Sequence, residues 1–321
     1  MRTRFTDLLG CQLPIQLAGM GGVAGPELAN AVARAGGAGT VAPHGQPRSA
    51  LDGVLDQLGP GVIGFNVLMP FLDVSAVETA SARLRYVEFF YGDPVPDLVT
   101  RVHAHGALAA WQVGSAAEAV AAEEVGCDFV IAQGVEAGGH VRGTTALLPL
   151  LDEVLDAVQV PVVAAGGIAT ARGVAAVLAA GADAARIGTR FLATPEADVH
   201  PDYLDGLLGA RAEDAVLTET FSATWPDAPH RVLRSCIDAA LALSGDTVGA
   251  VTFGDREVPL PRLGPQTPVR ATTGHISAMP YYAGQGVGAV SEIRPAAEIV
   301  RQLADGAEQL LAVGARHAVP L

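Results

Sequence analysis

Short apolar runs alternate with longer helix-like stretches along the first two thirds of the chain. Eight runs of strand length occur, at residues 14–18, 39–43, 62–69, 86–92, 108–114, 129–134, 161–167 and 184–191. Between them lie segments rich in good helix formers, at 25–35, 48–58, 74–83, 95–105, 115–125, 147–157 and 171–180. This alternation is typical of a parallel sheet covered by helices, and eight strands predict an α/β fold of the (β/α)8 TIM-barrel type.

A doubly wound open sheet is the competing fold. It needs a glycine fingerprint of the form GxGxxG directly after the first strand. The segment in that place, residues 19–25, reads GMGGVAG and does not match cleanly. The barrel is therefore the predicted fold.

The strand–helix rhythm stops after Phe191. Residues 194–278 are rich in Pro, Thr and Asp and contain one apolar, helix-like stretch at 230–243. Helical patterning returns at 294–313. We expect a barrel built from residues 1–193 plus 279–321, with residues 194–278 inserted as a small α/β or irregular lid that shapes the substrate site.

Charge and composition exclude several classes of function. A net charge of -14 disfavours nucleic acid as a partner. All 20 basic residues are arginines, and the absence of lysine excludes Schiff-base aldolases, pyridoxal phosphate enzymes and Walker-A nucleotidases. The cysteines, Cys11, Cys127 and Cys236, are odd in number and far apart, which predicts neither a disulfide framework nor a metal site.

The mean hydropathy of +0.34 is raised by Ala and Gly, and no window approaches the ~20 strongly apolar residues of a membrane span. The first fourteen residues, MRTRFTDLLGCQLP, have no apolar core of the kind found in secretory signals. We therefore expect a cytoplasmic protein without a membrane partner.

Glycines cluster after the predicted strands, where a (β/α)8 barrel builds its active site. They occur at Gly19–Gly22 after the first run, Gly134–Gly139 after the sixth, and Gly166–Gly167 after the seventh. Gly188 and Thr189 lie in the eighth run, so the last two groups fall where barrels hold a phosphate on backbone N–H groups. An anionic ligand is predicted.

Three polar side chains at strand ends are candidates for chemistry. Asn66 and Gln133 carry amides that both donate and accept hydrogen bonds, as the edge of a flavin ring requires. His140 follows two glycines on a loop expected to be exposed, and an imidazole that titrates near neutral pH can take a proton from a carbon acid. Glu136 is an alternative base if burial raises its pKa. The other seven histidines are interpreted as structural or solvated.

Six segments between residues 14 and 288 together resemble the nitronate monooxygenase family, formerly called 2-nitropropane dioxygenases: PIQLAGMGG, GFNVLMPF, AQGVEAGGH, VVAAGGI, RIGTRF and MPYYAGQGVG. AQGVEAGGH is the specific segment, since AGGI and GTRF also occur in other FMN barrels such as IMP dehydrogenase. The resemblance implies FMN as cofactor and His140 as catalytic base. It implies cofactor contacts at Gly19, Met20, Asn66, Gln133, Gly138, Gly166, Gly167, Gly188, Thr189 and Gln285.

Three functions remain open at this point. The first is oxidation of nitronates or nitroalkanes by molecular oxygen to a carbonyl compound and nitrite. The second is a flavin-dependent enoyl-thioester reductase using NAD(P)H, since that family also carries AGGH. The third is a flavin carrier or a catalytically silent biosynthetic partner, because fold and flavin do not determine function. The segments QLAGM and FSATWP (residues 221–226) depart from the nitronate monooxygenase pattern on the expected substrate side and leave the substrate open.

Overall fold

The structure, a computed structural model, describes residues 1–43, 48–253 and 256–317; His44 lies outside these ranges. Fourteen strands occur in them: β1 Ile15–Leu17, β2 Gly39–Val41, β3 Ile63–Leu68, β4 Tyr86–Phe90, β5 Leu108–Val113, β6 Phe129–Gln133, β7 Gly139–His140, β8 Val162–Ala165, β9 Ala184–Ile187, β10 Ala215–Thr218, β11 His230–Leu233, β12 Thr247–Phe253, β13 Arg256–Pro261 and β14 Thr272–Gly274.

The same ranges contain twelve α-helices: α1 Arg4–Leu9, α2 Pro26–Arg34, α3 Arg48–Asp56, α4 Val74–Ser81, α5 Pro96–Ala104, α6 Ala116–Glu124, α7 Leu147–Ala157, α8 Ala171–Ala179, α9 Thr189–Leu192, α10 Pro201–Leu208, α11 Arg234–Ala242 and α12 Ala296–His317. Short 3-10 helices occupy Met69–Phe71, Ala212–Asp214, Ile276–Ala278 and Gln285–Ala289.

Eight parallel strands form the barrel, in the order β1, β9, β8, β6, β5, β4, β3, β2. A parallel bridge between Gln16 and Ala38 joins the two ends of this sheet, with hydrogen bonds from Leu17 N–H to Ala38 O and from Ala38 N–H to Ile15 O. Each of the eight predicted runs contains one barrel strand. The predicted barrel is therefore confirmed.

The barrel strands read as unbroken apolar runs because both of their faces are buried. Every residue of β4 and of β6 is buried, one face against the barrel interior and the other against the outer helices. Parallel sheets covered on both sides show this pattern rather than strict alternation. Burial of these strands orders the carboxyl-terminal rim on which the active-site loops stand.

The first helix, α1, closes the amino-terminal end of the barrel and was not predicted. Phe5 is fully buried and contacts Phe129, at the start of β6, edge to face at 5.6 Å. The Arg4 guanidinium donates to both carboxylate oxygens of Asp183, at 2.9 and 2.7 Å. This plug leaves the carboxyl-terminal end as the open end of the barrel.

A buried ion pair lies inside the barrel. The two terminal nitrogens of Arg186 on β9 donate to the two carboxylate oxygens of Glu88 on β4, each at 2.5 Å. Glu88 also accepts from Gln16 Nε2 at 3.0 Å and from Asn66 Nδ2 at 2.8 Å. Four donors from three other strands thus meet on one carboxylate, which compensates the cost of burying its charge.

The segment after α9 supplies β10 and β11, which form an antiparallel sheet with β7 from the loop after β6, and all of a second antiparallel sheet, β13–β12–β14. The helix prediction for 230–243 is wrong at its start, because His230–Leu233 is a strand and only Arg234–Ala242 is helical. Short buried apolar runs do not reveal their own periodicity, and here β11 is held by strands on both sides. The division into a barrel and an inserted lid domain stays a prediction.

No helix in the described ranges has both the length and the apolar character needed to span a membrane. Within the same part of the chain, no group of three His, Cys, Asp or Glu side chains is placed to hold a metal ion.

Breaking the buried ion pair should destabilise the fold. We expect Glu88→Gln to lower the free energy of unfolding by about 3–5 kcal/mol, because it leaves the Arg186 charge buried without its partner. The double variant Glu88→Gln/Arg186→Met should be more stable than Glu88→Gln, since no lone charge remains. Urea unfolding followed by circular dichroism measures both.

The matched control is Arg83→Gln, which removes an exposed ion pair with Asp56 and should cost less than about 1 kcal/mol. If the double variant is as unstable as Glu88→Gln, the loss of stability comes from altered packing and not from the lone buried charge.

Candidate active site

A cavity of about 530 Å³ opens at the carboxyl-terminal ends of the barrel strands. Its floor and walls come from the barrel, and its other side comes from the segment after α9, which contributes Trp225 and parts of β12 and β13. The barrel segments that line it are the loop after β1, the ends of β3, β4 and β5, the end of β6 with its following loop, and the loops after β8 and β9.

His140 and nine of the ten residues predicted to bind the cofactor line this cavity: Gly19, Met20, Asn66, Gln133, Gly138, Gly166, Gly167, Gly188 and Thr189. Gln285 is different. Its side chain is exposed and is not part of the lining, while its backbone N–H donates to Glu136 O at 3.0 Å. A cofactor contact of Gln285 therefore stays a prediction without support from its position.

Glycines let three backbone segments meet at one wall of the cavity. Gly166 and Gly167 have φ of +117° and +67°, a conformation that side chains disfavour. A Cβ on Gly138 would lie 2.4 Å from Gly284 N, and one on Gly286 would lie 2.6 Å from Gly167 O. This close packing builds a wall of main chain, the type of surface on which a phosphate binds.

The Gln133 amide has two different roles. Its Nε2 donates to the backbone oxygen of His140 at 3.0 Å and so ties β6 to the segment that carries His140. Its Oε1 is buried and has no hydrogen-bond partner among the described residues. A buried carbonyl oxygen without a donor costs about 1–3 kcal/mol, so a ligand N–H at this position would be stabilising.

His140 does not lie on an exposed loop, which corrects the expectation from sequence. It belongs to β7, in register with His230 of β11, and Val141 N–H donates to Pro229 O at 2.8 Å. The indole of Trp225 stacks on its imidazole with a centroid distance of 3.9 Å and an interplanar angle of 21°. Tyr282 lies 5.7 Å from the ring. Aromatic groups therefore cover part of the imidazole, which is half-buried in the cavity wall, and its Nε2 is fully buried.

This enclosure changes the acidity of the imidazole. Burial, and to a lesser extent the neighbouring His230, lowers the pKa of His140 to about 3. An imidazolium would also have an N–H at Nε2, which is buried without a partner among the described residues. The expected value near 6.5 is therefore wrong for this environment, and His140 is neutral at physiological pH.

His230, interpreted from sequence as structural or solvated, is fully buried next to His140. Its Nε2 accepts from Phe221 N–H at 3.2 Å, so the hydrogen lies on Nδ1, which donates to Ala228 O at 2.8 Å. Burial lowers the pKa of His230 as well. The ring is structural, but it fixes the strand that positions His140. The sequence alone does not reveal this role of His230, because β11 and β7 are 90 positions apart in the chain and pair only in the folded structure.

Glu136, the alternative base, is engaged elsewhere. Both of its carboxylate oxygens accept from the N–H of Leu147, the first residue of α7, at 3.0 Å. A carboxylate in this position stabilises the start of the helix through the unpaired N–H groups and the helix dipole. Glu136 is not part of the cavity lining, so the geometry favours His140 as the proton acceptor.

Sequence reasoning missed two polar residues in the floor. Arg186 and Gln112 line the cavity beside Asn66 and Gln133. Arg186 could have been noticed in the sequence, because it is a charged residue inside an apolar strand. Burying such a residue is costly unless it is paired, so its position indicates a buried partner. Gln112, in the run 108–114, offered the same signal in weaker form.

Comparison with known proteins places this site in a family. The nitronate monooxygenase family matches residues 66–306. A nitronate monooxygenase of Pseudomonas aeruginosa is 32% identical, over 95% of this chain and 99% of that protein. A Rhodococcus jostii protein named (3aS,4S,5R,7aS)-5-hydroxy-7a-methyl-1-oxo-octahydro-1H-indene-4-carboxyl-CoA dehydrogenase is 36% identical, over 78% of this chain and 71% of that protein.

Two solved structures share the whole fold. FabK from Thermotoga maritima superposes with a TM-score of 0.81 and 28% identity, over 99% of this chain and 100% of that one. A nitroalkane oxidase of Streptomyces ansochromogenes has a TM-score of 0.75 and 30% identity, over 97% of this chain and 99% of that one. The extent of the family match and the identity to the P. aeruginosa enzyme lead to one conclusion: this chain belongs to the nitronate monooxygenase family of flavin-dependent oxidoreductases.

Proposed function

We propose that the protein binds FMN and oxidises alkyl nitronates and nitroalkanes with molecular oxygen to a carbonyl compound and nitrite, with His140 as the base. Family membership and the P. aeruginosa relative support nitronate oxidation in general. The observation that carries the specific proposal is the enclosed, neutral imidazole of His140 at the cavity wall. A neutral imidazole is a proton acceptor.

The cavity fits FMN by its donors, its acceptors and its main-chain wall. Gly166, Gly167, Gly188 and Thr189 would hold the phosphate on main chain, since no lysine exists to do so. Gln133 Oε1, the buried oxygen without a partner, would accept from the N–H of the flavin ring. When bound, FMN supplies the electron-transfer chemistry that amino-acid side chains lack.

His140 would act on the neutral form of the substrate. The α-carbon–hydrogen bond breaks, its electron pair stays on the substrate as the nitronate, and the proton moves to a ring nitrogen of His140. The low pKa of the free imidazole opposes this step, but the imidazolium forms beside an anion, and opposite charges stabilise each other at low dielectric. Trp225 covers one face of the ring and excludes water from the pair.

Reduction of an enoyl thioester is the second candidate. The R. jostii relative is named as a dehydrogenase of a CoA thioester, which favours substrates of that kind. A reductase would use His140 as proton donor. Burial lowers the pKa of His140 and so disfavours the protonated ring that donation needs, while membership of the nitronate monooxygenase family favours the first candidate.

We expect the purified protein to carry FMN rather than FAD, because the cavity offers one phosphate wall and the chain has no dinucleotide fingerprint. Mass spectrometry of the released chromophore identifies it. Mixed without oxygen, a nitronate should bleach the flavin band, whereas NADH and NADPH should not. Bleaching by a nicotinamide alone would overturn the oxidase proposal in favour of the reductase.

Replacing His140 with Asn should separate the two substrate forms. Turnover of a neutral nitroalkane should fall by about 100-fold or more, the usual scale of general-base loss. A preformed nitronate has already lost its proton, so its oxidation should fall by less than about tenfold. Steady-state kinetics with both forms, together with the flavin content, measure this.

His275→Asn, at an exposed histidine, is the matched control and should leave both activities unchanged. An equal loss with both substrate forms, with flavin still bound, would instead assign His140 an orienting role.

The neutral state of His140 predicts a pH dependence of stability. The unfolded chain takes up the proton near pH 6.5 and the folded chain near pH 3, so the stabilisation is complete above pH 6.5 and is lost as pH falls towards 3. Between pH 7 and 5, the free energy of unfolding should fall by about 1–2 kcal/mol less in His140→Asn than in the wild type. Urea unfolding at both pH values tests this. Identical losses in the two proteins would mean that His140 is solvated and titrates normally.

A further inference from the structure

Three residues other than glycine have a left-handed backbone in the described part of the chain: Tyr91, with a φ of +68°, Asp227, with +54°, and Leu263, with +60°. Asp tolerates this region, whereas Tyr and Leu adopt it rarely because it brings Cβ too close to the backbone. Such residues persist only where the surrounding structure fixes them, and they cluster at functional sites. All three lie around one side chain, the indole of Trp225.

Tyr91 packs directly against this indole. The two rings meet edge to face, with centroids 4.8 Å apart. The next residue, Gly92, is fixed from two sides, because its oxygen accepts from Trp111 Nε1 at 2.9 Å and a Cβ on it would lie 2.7 Å from Met69 Cβ. The left-handed turn between the end of β4 and this glycine therefore directs the phenol ring onto Trp225.

Leu263 holds the segment that carries Trp225. Its backbone oxygen accepts from Ala223 N–H at 3.0 Å, two positions before the indole, and Asp227 lies two positions after the indole. Trp225 N–H donates to Ser222 O at 3.2 Å, while Ser222 Oγ is buried without a hydrogen-bond partner among the described residues. Contacts from other segments, rather than favourable local geometry, thus keep this segment in place.

Trp225 stands between the imidazole of His140 and solvent. One face of the indole stacks on the imidazole, and Phe71 contacts the indole edge to face at 5.1 Å. The Phe71 side chain is 53% exposed, so water lies close to this side of the cluster. Moving the indole away would therefore open one face of the imidazole to water.

The titratable groups that face the imidazole are neutral near pH 7. They are His230 from β11, Tyr91 from the loop after β4 and Tyr282 from the segment before the last 3-10 helix, with ring centroids 5.3, 5.9 and 5.7 Å away. Burial lowers the pKa of His230, raises that of Tyr91 to about 12 and raises the pKa of Tyr282 further. The charges of Arg142 and Glu219 act on Tyr91 with opposite sign. Burial is therefore the largest influence on the protonation of the imidazole.

We propose that Tyr91 and Leu263 are positioning residues, which hold the Trp225 indole on the imidazole of the base. Tyr91 acts through its ring, and Leu263 acts through its left-handed backbone. The indole in turn keeps water from one face of His140. The position of the indole is independent of the reaction, whereas its consequence for proton abstraction rests on the proposed function.

The proton affinity of His140 tests this without turnover. The protein as purified, with labelled histidine, is titrated by NMR, and the His140 signal is identified by its loss in His140→Asn. Trp225→Leu removes the indole and should raise the proton affinity of His140 about tenfold or more, because burial of the ring is reduced. This variant defines the full effect.

Two substitutions of Tyr91 isolate the role of its ring. Tyr91→Asn removes the ring but accepts the left-handed backbone, so it should raise the proton affinity of His140 about as much as Trp225→Leu. Tyr91→Phe keeps the ring and should titrate like the wild type. If circular dichroism shows that Tyr91→Asn does not fold, Tyr91→Gly takes its place, since glycine also accepts this backbone.

Two substitutions of Leu263 isolate the role of its backbone. Asn adopts the left-handed region readily, so Leu263→Asn should keep the hydrogen bond to Ala223 and leave the titration of His140 unchanged. Val is β-branched and disfavours that region, so Leu263→Val should displace the segment and raise the proton affinity about tenfold. Acrylamide should also quench tryptophan fluorescence more strongly in Leu263→Val, because Trp225 becomes accessible while Trp111 stays buried in the barrel.

An unchanged titration of His140 in Trp225→Leu or in Tyr91→Asn would contradict the proposal. So would equal results for Leu263→Asn and Leu263→Val, or a Tyr91→Phe variant that titrates like Tyr91→Asn.

Failure of the proposed function looks different. In that case the titrations would follow the expected pattern, while no variant and not even the wild type would oxidise nitroalkanes. With an active protein, the acidic limb of the pH profile of kcat should move to higher pH in Tyr91→Asn and stay in place in Tyr91→Phe, because the base must be neutral to accept a proton.

Discussion

The Glu88 carboxylate at the centre of the barrel is the point on which the active-site floor depends. It accepts hydrogen bonds from the Arg186 guanidinium, the Gln16 amide and the Asn66 amide, which come from three different strands. A charge buried this deeply is tolerated only when its hydrogen bonds are satisfied, so each of these side chains has little freedom to rotate. The floor is consequently rigid and electrically balanced before any ligand binds.

The environment of His140, in contrast, is determined by a segment that is distant in the chain. His140 belongs to a two-residue strand whose partner, β11, comes from a segment 90 positions later in the chain. That later segment also supplies Trp225, which covers the imidazole, and His230, which fixes the local backbone. The barrel therefore provides the loop, and the segment after α9 determines the environment of the ring. The neutral imidazole is the result of both.

The barrel could be predicted because its determinants are local. A strand buried on both faces is an apolar run, and the glycines predicted to hold a phosphate lie at the ends of the seventh and eighth strands, where barrels bind phosphate. The acidity of His140 could not be predicted, because Trp225 and His230 approach it only through tertiary pairing. The strand at His230–Leu233 was missed for the same reason. The helix over Arg4–Leu9 is capped by Thr3 and Gly10, but it was missed because six residues are too few for a recognisable period. Arg186 was visible as a charge inside an apolar run, but its partner Glu88 lies 98 positions away.

Gln133 illustrates how such a site limits its own variation. Through Nε2 the amide holds the main chain of His140, and through Oε1 it would accept from the proposed cofactor. One planar group thus links the position of the base to the occupancy of the flavin, and thermodynamic reciprocity requires this coupling to be equal in both directions. Shortening the side chain to Asn would withdraw both contacts together. A substitution that changes how this amide binds the cofactor therefore also changes the position of the base, so the two tasks of Gln133 cannot be adjusted separately.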